Sequence, residues 1–285
     1  MLARMPDDQD EIKLEEREEE EVYQKSAASA RVVYKAVEIE GEEELERSTS
    51  ALAWSGVAAG LSMGFSLVCE GLLRSHLPDR PWRILITKLG YSVGFLIVVL
   101  GRQQLFTENT LTPMLPLLHH PTRRTLMNVA RLWITVLVCN LLATAAFAYV
   151  VALSPTFDAN VKDAFLAIGL EAIGHPPGTL FLRAIFAGWL IALMVWLLPV
   201  AEQARVLVII IITYLVGLAQ LSHIIAGSVE AIYVVAAGRA SWEQYVFDYM
   251  LPTLLGNILG GVALVAALNH AQVIGGGDHN KAALR

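Results

Sequence analysis

Apolar residues in this chain come in long blocks rather than in alternating or narrow amphipathic patterns. Four blocks, about 51–74, 131–153, 182–201 and 249–270, are uninterrupted. Each has the length of roughly 20 residues that one bilayer crossing needs. Two more, residues 84–120 and 205–238, are too long for one crossing, and each contains a polar break, at Arg102–Thr110 and at Gln220–Ser228. As continuous helices rising about 1.5 Å per residue, each would far exceed a hydrocarbon core of about 30 Å. The pattern therefore predicts one crossing each, split into two half-helices, and six crossings in all. Ahead of the blocks, Val33, Val37 and Leu45 lie at helical spacing between Ser29 and Glu46, with Gly41 as a break. This predicts one or two short amphipathic helices at the membrane surface.

Composition agrees. Of 285 residues, 55% are hydrophobic and 17% charged, with a mean hydropathy of +0.52, which argues against a soluble enzyme. Charge is segregated: the first 50 residues hold 16 acids and 7 bases, a net of −9, and the rest are net +3. The run from Asp7 to Glu21 cannot bury enough apolar surface to order itself. The division expected is an acidic disordered cytoplasmic tail (1–28), an amphipathic segment (29–50), a six-helix transmembrane domain (51–272) and a short cytoplasmic tail (273–285). No basic stretch followed by an apolar run opens the chain, so no cleavable signal peptide is expected. Cys69 and Cys139 fall inside apolar runs and read as packing residues.

Short words recur in the same order in the two halves. Gln104-Leu105-Phe106-Thr107 resembles Gln220-Leu221-Ser222-His223, 116 residues on, and Asn140-Leu141-Leu142-Ala143 resembles Asn257-Ile258-Leu259-Gly260, 117 residues on. Ala59-Gly60 and Ala187-Gly188 mark the first and fourth crossings. The expected fold is an all-α membrane protein with a 3+3 inverted repeat, because halves of three crossings must have opposite orientation. Six crossings put both termini on one side. Arg123, Arg124, Arg131, Arg205, Lys281 and Arg285 make that side cytoplasmic, against a dissenting Arg74, Arg80 and Arg83.

Discontinuous helices in matching positions of two halves point to a transport site. His223 lies at the second break. It reads either as a packing histidine bonded to a freed carbonyl or as a functional group, and the second is favoured because ionisable groups at membrane depth are expensive. Thr107 holds the matching place in the other break, as an N-cap of the next half-helix or as a hydroxyl facing the pore. Half-helices starting here would aim amides and positive dipole ends at the membrane centre, which favours anions. Arg102, Glu108 and Glu230 read as groups that pair with each other or with loop backbone to support the breaks, with anion attraction by Arg102 as a further role. The run Gly256 to Gly261 reads as a small-residue packing face, and Trp82, Trp133 and Trp242 as interface anchors. No metalloprotease, phosphate-loop or nucleophile-elbow motif occurs, and His119-His120 has no carboxylate or thiol nearby in sequence. No cofactor, metal or nucleic-acid partner is expected.

Leu105-Phe106-Thr107 after a glycine-bearing helix, His223 in the second broken helix, and Gly256-Asn257-Ile258-Leu259-Gly260-Gly261 in the last span resemble the formate/nitrite transporter family over about 48–272. Gly41 to Arg47 and Gln103 to Thr110 look most like its YfdC-type inner-membrane branch. The resemblance implies a multi-pass protein of a bacterial-type cytoplasmic membrane and a homopentamer with an aquaporin-like pore in each protomer. It implies passage of small monovalent anions such as formate or nitrite, with protons and membrane lipid as further partners. It makes His223 the central histidine, Thr107 its partner, and Tyr91, Phe95 and Val216 constriction residues. Three positions depart from the formate channels: Gly188 stands for an asparagine, Ser222 for an acid, and Ala172 for an outer lysine. The expected function is a channel or transporter for such anions, with proton donation by His223 as a hypothesis for carrying the neutral acid. Proton-coupled anion transport is the nearest alternative. A neutral-solute pore is disfavoured because both breaks lack Asn-Pro-Ala, and a membrane enzyme because no catalytic set is visible.

Overall fold

The structure, a computed structural model, describes residues 28–273, and all regular structure among them is helical. Most of the expected acidic tail and of the C-terminal tail lie outside the described residues. Helix α1 (Ala30–Glu46) is capped by Ser29, whose Oγ accepts from Val32 N at 3.4 Å. It is one helix rather than two. Gly41 does not break it but lets it approach the Thr112 carbonyl, where a Cβ would overlap. Val33, Tyr34 and Val37 pack against Leu111, Leu115, Val195 and Val265.

Helix α2 (Thr49–His76) starts at the Ser48 cap. The first broken segment follows as α3 (Arg83–Thr87), a 3-10 turn (Lys88–Tyr91) and α4 (Ser92–Leu100), then an irregular stretch and α5 (Met114–His119). Helix α6 (Arg123–Leu153) starts at the Thr122 cap, with Thr125 N donating to Oγ1 at 3.1 Å. Helix α7 (Ala159–Ile173) was not marked by the block pattern, because Lys162, Asp163 and Glu171 interrupt a stretch too short for a span. It buries Val161, Phe165 and Ile168 against α2 and α10 (Ala226–Ala236). Between them come α8 (Pro177–Ala201) and α9 (Arg205–Leu218). The last element is α11 (Leu251–Gly261), continued by π-helical turns at Gln244–Met250 and Val262–Ala267.

Five stretches are long and apolar enough to cross a membrane: Thr49–His76, Arg83–Leu100, Arg123–Leu153, Pro177–Leu218 and Gln244–Val273. The 42-residue fourth stretch does not run straight. Glu202 has φ of 37°, and Arg183 Nη1 near the start of α8 lies 3.4 Å from the Gln220 carbonyl just past the end of α9. The two helices therefore form an antiparallel hairpin.

The two breaks are built alike, but in a register two residues away from the one the matching words suggest. Arg102 and Gln220 both have positive φ, 52° and 51°. Gln103 N donates to Val98 O, and Leu221 N to Val216 O, each at 3.0 Å. Phe106 N donates to Asn140 Oδ1 at 3.0 Å, and Ile224 N to Asn257 Oδ1 at 2.8 Å. Every pair is separated by 118 residues in the breaks, not 116. The partner of His223 by symmetry is Leu105, and that of Thr107 is Ile225.

Lipid tails are as apolar as leucine, so helices in a bilayer are held by close packing and internal hydrogen bonds. The tightest contacts are α2 with α6 and α8 with α11. They depend on Gly60 against the Asn140 carbonyl and Gly188 against the Asn257 backbone, positions where a Cβ would collide. Gly256 and Gly260 meet α8 in the same way, as the small-residue reading expects. The outer surface carries Trp54, Ile134, Leu142 and Leu255, an apolar belt for lipid or neighbouring copies. Trp82 and Trp242 are exposed. Trp133 instead packs edge-on to Phe106 and donates from Nε1 to Asn109 O at 2.8 Å, supporting the first break from inside.

Candidate functional site

In the second break the chain leaves α9 at Leu218, turns at Gln220 and re-enters a helix at Ala226. Asn257 of α11 holds this turn: its Oδ1 accepts from Ile224 N, and its Nδ2 donates to Ser222 O (3.0 Å) and Ala184 O (2.8 Å). Asn140 of α6 does the same for the first break, with Nδ2 donating to Gly56 O (2.7 Å) and Gln104 O (3.0 Å). Freed backbone groups at membrane depth must find partners inside the protein, and these two amides supply them.

Held in this way, His223 and Thr107 meet. Both are buried, and the ring Nε2 lies 2.8 Å from Thr107 Oγ1. The other nitrogen settles the tautomer. Ile225 N and Ala226 N both donate to Nδ1, at 3.2 and 3.1 Å, so Nδ1 is an acceptor and carries no proton. The neutral ring therefore has its hydrogen on Nε2 and donates it to Thr107. The hydroxyl hydrogen of Thr107 is left to donate elsewhere. Two expectations change. Thr107 makes no capping bond to a following helix, and the first amides of α10 bind His223 rather than facing a permeant.

Aromatic rings lie next to this pair. Phe95 packs edge-on to His223 with centroids 5.0 Å apart, and Tyr91 lies 5.4 Å from Phe95. Val216 is fully buried on α9, one residue before Gly217, where a Cβ would press on the Tyr91 ring. Tyr249 of the last segment donates to His223 O at 3.2 Å, an approach open only because Gly227 has no side chain. A cavity of ≈ 40 Å³ reaches His223 from the α7 side, lined also by Lys88, Tyr91, Val216, Glu230 and Tyr249. A second cavity, of ≈ 530 Å³, lies beneath α1 and is lined by Glu44, Arg102, Gln104, Glu108 and Thr112.

The three charged residues expected to pair at the breaks do not pair with one another. Arg102 Nη1 lies 3.1 Å from Glu40 of α1. One oxygen of Glu108 is buried without a hydrogen-bond partner. Glu230 faces the smaller cavity. The dissenting arginines are partly neutralised, Arg74 by Glu171 at 2.7 Å and Arg83 by Asp79 at 2.8 Å. Arg131 ties α6 to the end of α1 by donating to Leu45 O (2.8 Å) and Arg47 O (2.9 Å). His119 does find a carboxylate, Glu38 of α1, which lies 81 residues away in sequence. Among the described residues no group of three or more metal-ligating side chains forms.

Comparison with known proteins places this architecture. Residues 31–271 match the family described as formate/nitrite transporter. The chain belongs to the formate/nitrite transporter family. It is 42% identical over 270 residues to the inner membrane protein YfdC of Escherichia coli (strain K12), covering 93% of this chain and 87% of the relative. A probable formate transporter of Methanothermobacter thermautotrophicus is 26% identical over 237 residues, 77% of this chain and 85% of the relative. Among solved structures, a pentameric formate channel with formate bound superposes with a TM-score of 0.67 at 18% identity, covering 79% of this chain and 98% of that one. An FNT family ion channel superposes at 0.69 and 17% identity, covering 82% and 96%.

Within this formate/nitrite transporter fold, sequence reasoning missed the two asparagines as latches, and Lys88 and Tyr249 as cavity residues. A lone Asn at matching places of two apolar blocks was the available signal for the first. Nothing local marks the others. At Gly188 the Asn257 backbone leaves no room for a side chain, so the departure from asparagine is built into the contact between α8 and α11.

Proposed function

We propose that this member of the formate/nitrite transporter family passes small monovalent weak-acid anions, formate and nitrite among them, through a path within each protomer. The observation that carries the reading is the fixed tautomer of His223. A ring pinned by two backbone amides at Nδ1 donates from Nε2 to Thr107, and the chain of donors ends in a hydroxyl hydrogen. At the middle of a membrane such a hydrogen offsets part of an anion's desolvation cost. Phe95, Tyr91 and Val216 form the apolar constriction on one side, which strips water and excludes hydrated ions.

The same geometry revises the idea that His223 gives its proton away. Losing Nε2–H from a neutral ring would leave an imidazolate. On our reading the ring orients Thr107, and any proton that travels with the anion is supplied elsewhere. The chain does no covalent chemistry on this account. Arg102, Glu108 and Glu230 act on the approaches rather than at the centre.

On this reading the two cavities are the two mouths, and the Lys/Arg bias of Arg123, Arg124 and Arg131 favours the cytoplasmic face for α1. Family membership and the name of the E. coli relative support the inner membrane as the site, and the pentameric formate channel supports a homopentamer in lipid. Uptake into proteoliposomes tests the function: formate and nitrite should enter well above protein-free vesicles, while glycerol and water should not. Glycerol uptake without formate uptake would make the chain a neutral-solute pore.

A further inference from the structure

The segment that carries Tyr91 and Phe95 packs against both α2 and α9, and a buried hydroxyl reaches it from each. Its turn Lys88–Tyr91 is 3-10, while Ser92–Leu100 is α-helical. Such a change of winding inside a span puts backbone groups out of register and makes a point of give. Ser66 of α2 meets both kinds of backbone group there. Its Oγ donates to Tyr91 O at 2.6 Å and accepts from Gly94 N at 3.1 Å. A mid-helix serine can bond back to a carbonyl of its own turn, but here its one hydrogen crosses to the neighbouring segment. Gly90 and Gly94, four residues apart, make the approach possible. Gly90 lies on the α2 backbone at Cys69 and Glu70, and Gly94 on Ser66 Oγ, with no room for a Cβ at either.

Thr213 of α9 makes the second attachment. Its Oγ1 lies 2.8 Å from Ser92 Oγ and 2.7 Å from Ile209 O. One turn further on, Gly217 brings the α9 backbone against the Tyr91 ring. Tyr91 and Ser92 are adjacent, so the two hydroxyls fasten neighbouring residues of one wall to two different helices. That wall also carries Phe95, which stands edge-on to His223. A wall held in this way does not yield to a larger permeant, and only what fits the opening at rest goes through.

We propose that Ser66 and Thr213 are positioning residues that fix the width of the constriction, and with it the size of weak-acid anion admitted. The inference rests on the anion reading given above. Neither hydroxyl needs to touch the permeant. Without them, the rings of Tyr91 and Phe95 sit on a segment free to shift at its change of winding, and the discrimination by size falls.

The test uses the full chain in liposomes, with radiolabelled formate, acetate and propionate as probes, each corrected for protein-free vesicles. These anions differ only in added carbon and hydrogen, so their flux ratios read size. Fewer active copies would lower all three fluxes by one factor and leave the ratios alone. The parent should pass formate fastest and propionate slowest. Ser66→Ala should bring the formate-to-acetate ratio down by about fivefold, the worth of one ordinary hydrogen bond. Thr213→Val, which keeps the shape and removes the hydroxyl, should lower the ratio too, while Thr213→Ser should keep it. If Ser66→Ala does not assemble, the two Thr213 variants decide. A parent ratio in Thr213→Val, or the same loss in Thr213→Ser as in Thr213→Val, overturns the proposal and leaves the anion path standing. A parent that moves none of the three anions overturns both.

Discussion

Asn140 and Asn257 show how much of this fold depends on single polar side chains. Each reaches backbone groups of a break and of a neighbouring helix that are far away in sequence. Replacing Asn257 by Leu leaves Ile224 N–H and Ser222 C=O buried without partners. An unmet buried polar group costs about 1–3 kcal/mol, so Asn257→Leu should lower stability by roughly 3 kcal/mol, and Asn140→Leu by a similar amount. Thermal unfolding in mild detergent reads this, and an unchanged Tm for either variant would contradict the latch. The asparagines were legible as repeated letters, but their role was not, because it exists only once α6 and α11 lie beside the breaks. His223 was legible by its cost at membrane depth. Its tautomer was not, since that depends on where Ile225 N and Ala226 N point.

At the scale of elements, α1 is attached to the first break. Glu44 accepts from Gln104 Nε2 at 3.1 Å and from Thr112 Oγ1, and burial pushes its carboxyl up to about 7. The docked helix therefore binds a proton more tightly than the free one. Docking is strongest below the ordinary carboxylate value of 4.5 and weakens as pH rises through about 7. Spin labels on α1 and α6 should report a wider separation at about pH 8 than at about pH 5, and Glu44→Gln should remove the difference. Equal distances for the parent at both pH values would contradict it. Long elements were readable in advance because block length alone identifies a crossing. Three features were not. Helix α7 is too short and charged to read as a span, Gly41 serves a contact rather than a break, and the repeat register follows backbone hydrogen bonds that short similar words do not encode.

The whole molecule has the fold of its family and an outer surface of exposed apolar side chains, including Trp54 and Leu142, which suits both lipid and neighbouring copies. Native mass measurement in mild detergent should give five copies, and a stable monomer would contradict the assembly we propose. Deleting residues 1–28, a run rich in acids and poor in apolar residues, should leave that pentamer and its flux nearly unchanged, and loss of assembly would contradict a solvated tail. The central claim is that His223 and Thr107 together present a donor to the passing anion. Formate flux through reconstituted His223→Phe, measured beside the parent and beside Thr107→Val, tests it most directly. Both variants should assemble as the parent does. Losing about 2.7 kcal/mol at the barrier slows passage about a hundredfold, and flux in each should fall on that order. If pentameric His223→Phe conducts formate like the parent, His223 is a packing residue and the account is wrong.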